Sequence, residues 1–385
     1  MDGDGIAGVV GTDEVVIVAD RTRVDSADIF RCLDLKTGDE RWKLEYSAPS
    51  KLDYGNSPRA APLIAGDMVF LLGASGHLHA VELSTGKVVW KTVLPKTFGG
   101  KMPFWGFSTS PLLIDCSHEG TKDTKDAELP KIPLCPSCLC EKQNLLTASK
   151  LIVPPGASDA GLVALDALSG NVVWKSDNGR TAGYASPLVT TFGNKPQIIF
   201  YDEKSLGGWD VATGKRLWEL VPRYSGDFNV PTPIPLDGNR LFVITENNGA
   251  RIYQFDEEGM IDPRPVAIQK EIGHDSNSAV ASADRIYVVD SGLHCLDAAD
   301  LKILWTLEDK AFSSYATLIL GEDRLLIGTY SGEILLVDLT ATPSKIVGRF
   351  CPFDEDDVLL SHPAVIGKYL IVRSTSEVVC VRFLF

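Results

Sequence analysis

The chain has 385 residues, 44% of them hydrophobic and 23% charged, a composition that suits a folded protein with a substantial core. Its formal net charge of −14 argues against non-specific binding to a nucleic-acid backbone or an anionic lipid surface, both of which need a basic face. No run of 18 apolar residues occurs, so membrane insertion through a helix is not expected.

The opening Met1-Asp2-Gly3-Asp4-Gly5 is acidic and lacks the basic and apolar regions of a signal peptide. Next comes a short apolar segment, Ile6-Ala7-Gly8-Val9-Val10, and then the first of a series of hairpins. Asp34-Leu35-Lys36-Thr37-Gly38 is followed by Trp42, and Glu82-Leu83-Ser84-Thr85-Gly86 by Trp90. Asp166-Ala167-Leu168-Ser169-Gly170 precedes Trp174, Asp210-Val211-Ala212-Thr213-Gly214 precedes Trp218, and Asp297-Ala298-Ala299-Asp300-Leu301 precedes Trp305. In each the acid stands eight residues before the Trp. An apolar alternation leads into the acid, as in Leu78-His79-Ala80-Val81, and an apolar run follows the turn, as in Val88-Val89-Trp90. The acid and the Ser or Thr can bond backbone amides within the turn, and Gly takes a φ that a side chain resists. The Trp is expected on the outer strand, docking its unit against the next.

Weaker copies keep the register. Asp256-Glu257-Glu258-Gly259 has no Trp, Asp338 is followed by Ile346 at the Trp position, and Arg382 stands at the acid position after Val379-Cys380-Val381. Successive acid positions are 48, 84, 44, 46, 41, 41 and 44 residues apart, and the long step holds one repeat plus an insertion, so there are eight units. Two further apolar segments precede each hairpin, such as Ala61-Pro62-Leu63-Ile64 and Met68-Val69-Phe70-Leu71-Leu72. Four strands per unit of this length predict an all-β chain folded as one eight-bladed β-propeller of four-stranded antiparallel blades, over 1–385. Ser110-Pro111, Ser186-Pro187, Thr232-Pro233 and His362-Pro363 open innermost strands, where Pro is acceptable as a first residue. Trp209-Asp210 is the sole Trp-Asp dipeptide and precedes a turn, so the WD40 repeat is not the pattern here.

The acid-x-x-Thr-Gly-x-x-x-Trp repeat resembles that of the quinoprotein-type propellers. Outside the insertion the chain is similar to the bacterial PQQ-binding-like β-propeller repeat family, related to the outer-membrane barrel-assembly lipoprotein propeller; Trp105-Gly106-Phe107 and Gly183-Tyr184-Ala185-Ser186-Pro187 fit that family. The resemblance implies the propeller and a periplasmic or extracellular location, with cytoplasmic as the alternative. It also implies a closing strand supplied from the other terminus. The chain begins at its first unit's inner strand and ends three strands into the last, so the reading expects a leader and export signal trimmed away and an open edge on the last blade. Quinoprotein dehydrogenases carry adjacent cysteines and calcium-ligating acids. No two cysteines are adjacent here, so PQQ is not expected and no cofactor is required.

The insertion, about 116–149 in the third blade, holds Cys116, His118, Cys135, Cys138 and Cys140. Cys135-Pro136-Ser137-Cys138 has zinc-knuckle spacing, so Cys116, Cys135, Cys138 and Cys140 are candidate zinc ligands, with disulfides and free thiols as the competing readings. Cys32, Cys295 and Cys380 occupy equivalent apolar strands and are expected to be buried thiols; Cys351 stands apart. Loops leading into the inner strands place Arg59, Trp105, Tyr184, Asn229, His274, Tyr315 and His362 at the channel mouth, a set able to hold a sugar, a peptide or a small polar molecule. His274-Asp275 and Ser361-His362 have acid–base chemistry but no identifiable nucleophile or metal partner, so no catalytic residue is assigned. The leading function is a non-enzymatic, monomeric scaffold of the cell envelope that binds a protein or small polar ligand. The alternatives are a quinoprotein-like oxidoreductase or other channel-mouth enzyme, and an extracytoplasmic sensor domain.

Overall fold

The computed structural model describes residues 1–115, 149–341, 343–354 and 357–383. Its strands form eight antiparallel sheets, each a meander of strands consecutive in sequence. Seven sheets have four strands; the eighth has three among the described residues. This is the expected eight-bladed propeller. Blade 1 runs through Val10–Gly11, Val15–Arg21, Ala27–Asp34 and Glu40–Ser47. Blade 8 runs through Ala364–Ile366, Tyr369–Arg373 and Val378–Arg382. In blade 3 the first two strands, Leu112–Ile114 and Lys150–Val153, pair directly, Ile114 opposite Lys150. The insertion therefore leaves and re-enters at the turn between them. Its cysteines Cys116, Cys135, Cys138 and Cys140, with His118, lie outside the described residues. No helix among the described residues is long and apolar enough to cross a membrane.

The turn chemistry is as the sequence dictates. In blade 1 the Gly38 amide donates to the Asp34 carbonyl at 2.9 Å, and the Asp34 carboxylate accepts from the Lys36 and Thr37 amides at 2.9 and 3.0 Å. Gly38 has φ +76° and Gly86 φ +69°, values that disfavour a side chain. The fifth Trp-bearing turn puts Leu301 at the same place with φ 61°. There a buried leucine packed into the core outweighs the backbone strain.

Trp42, Trp90, Trp174, Trp218 and Trp305 all lie on the fourth, outermost strands. Each of the first three reaches across to the next blade. Trp42 Nε1 donates to the Leu83 carbonyl at 2.7 Å, Trp90 Nε1 to Ala167 at 2.9 Å and Trp174 Nε1 to Val211 at 3.1 Å. Each acceptor directly follows a turn acid, and each ring covers the turn glycine. Trp218 instead donates to Gln197 Oε1 at 2.6 Å, and Gln197 passes the contact to the Gly259 carbonyl at 2.8 Å. Eight hydrophobic clusters form among the described residues, one at each junction between neighbouring blades, including blade 8 with blade 1. The core is thus a ring of inter-blade cores.

Around the channel the Ser/Thr-Pro starts link the blades. The Ala61 amide donates to Ser110 Oγ, Ser110 to Ser186, Ser186 to Thr232 and Thr232 to Ser278, at 3.0 to 3.4 Å.

The seam between blades 8 and 1 is built differently. Arg373 and Asp20, both with no solvent exposure, pair at 3.4 Å. Asp20 also accepts from Arg31 at 3.0 Å and from the Asp2 and Gly3 amides at 2.9 and 3.0 Å. Arg373 donates to the Gly3 carbonyl at 3.3 Å. Burial pushes the Arg373 guanidinium down to about 10, against the pull of Asp20. Burial also pushes Asp20 up, but the backbone amides and Arg31 outweigh it and hold the carboxylate below its ordinary value. The N-terminal segment runs from the seam toward blade 2, with Val9 donating to the His362 carbonyl at 3.1 Å and Ala7 to the Pro58 carbonyl, on the loop entering blade 2, at 3.2 Å.

One expectation about cysteines needs correction. Cys32 and Cys295 are buried thiols, pushed up to about 11 by burial, but Cys380 is exposed, as is Cys351. Cys32 and Cys295 lie opposite Trp42 and Trp305 on fourth strands, whereas the strand carrying Cys380 pairs on one side only among the described residues.

Candidate functional site

Among the described residues, an aromatic cluster gathers on the loops that lead into the inner strands of blades 2 to 5. After the outer strand Val88–Val93, the chain makes a short helix, Leu94–Phe98, stopped by Gly99, and then a loop carrying Met102, Phe104 and Trp105. Phe107, buried, anchors this loop, and its amide donates to the Ala74 carbonyl at 2.8 Å. Trp105 is held through its backbone on both sides. Arg59 Nε donates to its carbonyl at 2.5 Å, and its amide donates to the Tyr184 hydroxyl at 3.2 Å. The indole is left to pack against rings from four loops. Its centroid is 4.6 Å from Phe228, 5.2 Å from Tyr184, 5.6 Å from Phe104 and 6.4 Å from Tyr54.

This group is open to solvent on its outer side: Tyr54 is 80%, Phe104 72% and Phe228 43% exposed. Tyr54 also has φ 61°, rarely adopted by an aromatic residue. Its loop is fixed by Asn56, whose Oδ1 accepts from the Leu52 amide at 2.8 Å and Ser50 Oγ at 3.0 Å. The other Arg59 bonds go to the Asp53 and Gly55 carbonyls at 2.8 and 2.7 Å. No carboxylate pairs with Arg59 among the described residues, and burial lowers its pKa. Asn229 has φ 56°; its carbonyl accepts from the Tyr184 and Ala185 amides, and its Nδ2 donates to the Asp202 carbonyl at 3.0 Å. Beside it, Glu246 accepts from the Phe228 amide at 2.6 Å and is pushed up by burial and by Asp227 and Asp275.

Of the residues expected at the mouth, Arg59, Trp105, Tyr184 and Asn229 come together. His274, Tyr315 and His362 are held by other partners. His274 Nδ1 accepts from the Ser276 and Asn277 amides at 3.1 and 3.2 Å, so it orders its own loop. Tyr315 is pushed up to about 12 by burial, and its carbonyl accepts from Tyr330 at 2.9 Å. His362 Nδ1 donates to the Pro363 carbonyl at 2.9 Å, and burial keeps the ring below its ordinary value. Sequence reasoning missed Tyr54, Phe104 and Phe228. Two of them adjoin residues already singled out, Trp105 and Asn229, and a run of aromatic residues across several mouth loops was the available signal.

The architecture defines an eight-bladed β-propeller with an aromatic cluster on its inter-blade loops. A family model described as "Outer membrane protein assembly factor BamB" matches residues 2–116 and 143–307. The chain belongs to that family. No curated protein matches it. Among solved structures, the computationally designed Ika8 protein is similar at 12% identity and TM-score 0.60, covering 100% of this chain and 97% of that one. The C-terminal WD40 domain of Sif2 is similar at 10% identity and TM-score 0.59, covering 100% and 97%. BamB from Moraxella catarrhalis is similar at 16% identity and TM-score 0.45, covering 98% and 85%. At these identities the likeness concerns the fold.

Proposed function

We propose that this protein is a non-enzymatic binding scaffold of the cell envelope that recognises a protein partner through the aromatic mouth around Trp105. The observation that carries the reading is the exposed ring cluster of Tyr54, Phe104 and Phe228 about an indole whose backbone is fixed on both sides. Rigid aromatic side chains supply contact area at low entropic cost and dominate binding energy at protein interfaces. The family description, an outer-membrane assembly factor, supports an envelope location and a protein ligand.

The test places a photo-crosslinking residue at Phe104 in cells, with Val173 on the outer strand of blade 3 as control. The reading expects a discrete adduct in the envelope fraction from position 104 alone, lost when Trp105→Ala is added. Equal adducts from both positions, or adducts indifferent to Trp105, would overturn it.

A further inference from the structure

Arg59, under the aromatic cluster, is a charge without a counter-charge. Its Nε and Nη2 donate to three main-chain carbonyls, those of Trp105, Asp53 and Gly55, at 2.5 to 2.8 Å. These bonds fix two loops but leave the positive charge unneutralised. Nη1 makes no hydrogen bond among the described residues. The ionisable neighbour that acts on the half-buried guanidinium is Tyr184, not a carboxylate. Other partly buried arginines are paired: Arg31 meets Asp20 and Glu40, Arg180 meets Asp202 and Glu219, and Arg216 meets Asp202. A charge drawn from water without a partner is costly, so Arg59 is poised for an anion that arrives with a ligand.

The loops around it have the same sign. Segments 48–62 and 94–111, which carry Tyr54, Phe104 and Trp105, hold Lys51, Lys96, Lys101 and Arg59 against Asp53 as their one acid. The three lysines are exposed. Across the cluster the sign reverses: beside Phe228 stand Asp227, Glu246 and Asp275, and the two aspartates push the Glu246 carboxyl up. In a chain of net charge −14 the cluster thus has a basic flank on blades 2 and 3 and an acidic flank on blades 5 and 6. Such a contrast sets the direction in which a charged segment can lie.

We propose that the partner segment taken by this cluster presents an acidic side chain beside an aromatic or large apolar one, a proposal that rests on the reading of the cluster as a protein-binding site. The carboxylate accepts from Arg59 Nη1 and supplies the missing counter-charge. The apolar side chain lies on the exposed rings of Tyr54, Phe104 and Phe228. A charge-assisted bond beside rings that exclude water is stronger than one in open solvent, and the exposed lysines steer the acid to this flank. A cation, which aromatic rings can also hold, is disfavoured by the fixed guanidinium next to Trp105.

The experiment uses the full chain and three labelled, capped peptides, Ser-Asp-Phe-Leu-Ser and its forms with Asn or Lys in place of Asp, read by fluorescence anisotropy. The acidic peptide should bind about tenfold more tightly than the Asn form, and the Lys form should bind most weakly. Added salt should narrow the difference. Arg59→Met, which keeps the stem and removes the donors, should bind the acidic and Asn peptides equally. Because Arg59 also holds its loops, a second variant carries Lys96→Glu with Lys101→Glu at exposed positions. It should weaken the acidic peptide by about threefold and leave the Asn peptide unchanged. Equal binding of the acidic and Asn peptides to the wild type, tighter binding of the Lys form, or no binding of any of them overturns the proposal. The Phe104 crosslink distinguishes the two failures: an adduct that depends on Trp105, with no preference for the acidic peptide, leaves the cluster as a protein-binding site and removes its selectivity for acid.

Discussion

The junctions of blades 1 to 4 and the seam between blades 8 and 1 close the same ring by different physics. At the first three junctions an indole from one blade caps the turn of the next, and the bond is local to a repeat. At the seam, where no indole arrives, the two ends of the chain meet over a buried ion pair, with the N-terminal segment bonded along it. The indole junctions draw on burial of apolar area, which tolerates small shifts. The seam depends on charges that are costly to bury unless every partner is present. This makes the seam the more fragile closure, although its own hydrophobic cluster is comparable in kind to the others.

The sharpest way to break this comparison is to remove one charge. Asp20→Ala leaves Arg373 buried without its carboxylate and is expected to cost roughly 4–5 kcal/mol in urea unfolding. A loss below about 1 kcal/mol would mean that the apolar cluster alone closes the ring. Trp174→Ala at an indole junction should cost about 3–4 kcal/mol through lost area and cavity. Trp174→Phe should recover much of that, since the ring matters more than its one hydrogen bond. Asp20→Asn should recover little, because it restores shape but not charge.

A smaller effect concerns pH. Asp28 is buried beside Arg21, paired at 2.5 Å, and Tyr46, and burial pushes its carboxyl up to about 6 despite Arg21. A carboxyl raised on folding favours the folded state while protonated. Its contribution is therefore present below the unfolded value near 4 and is lost as pH rises through about 6. Stability of the wild type should fall by roughly 1–3 kcal/mol more than that of Asp28→Asn between pH 4 and 6.5. Parallel pH profiles for the two proteins would place the titration elsewhere. The smallest contrast is Cys295→Ser against Cys380→Ser. The first puts a hydroxyl into a core and should cost about 1–2 kcal/mol, while the second, at an exposed position, should stay within about 0.5 kcal/mol.

These contrasts also mark what could be read from residues alone. The five turns with their Trp residues were legible because acid and indole, with a glycine between them in four of the five, act within nine residues, and the spacing of the turns gave the blade count. The exposure of Cys380 was misread because burial there depends on a neighbouring strand, not on the apolar pattern of its own. The Asp20–Arg373 pair joins residues 353 apart in sequence, which only ring closure brings together. At the mouth, Arg59, Trp105, Tyr184 and Asn229 were found from their loops, while Tyr54, Phe104 and Phe228 were not. Their roles come from packing between four loops, and nothing in any one loop specifies it.

Among the described residues the third strand is covered by a fourth in seven blades, while in blade 8 the third strand is itself outermost. Hydrogen exchange measured by mass spectrometry on the native protein tests it most directly. Amides of residues 378–382 should exchange orders of magnitude faster than those of the equivalent strand His77–Glu82 in blade 2, which is paired on both sides. Equal protection of the two strands would contradict the claim.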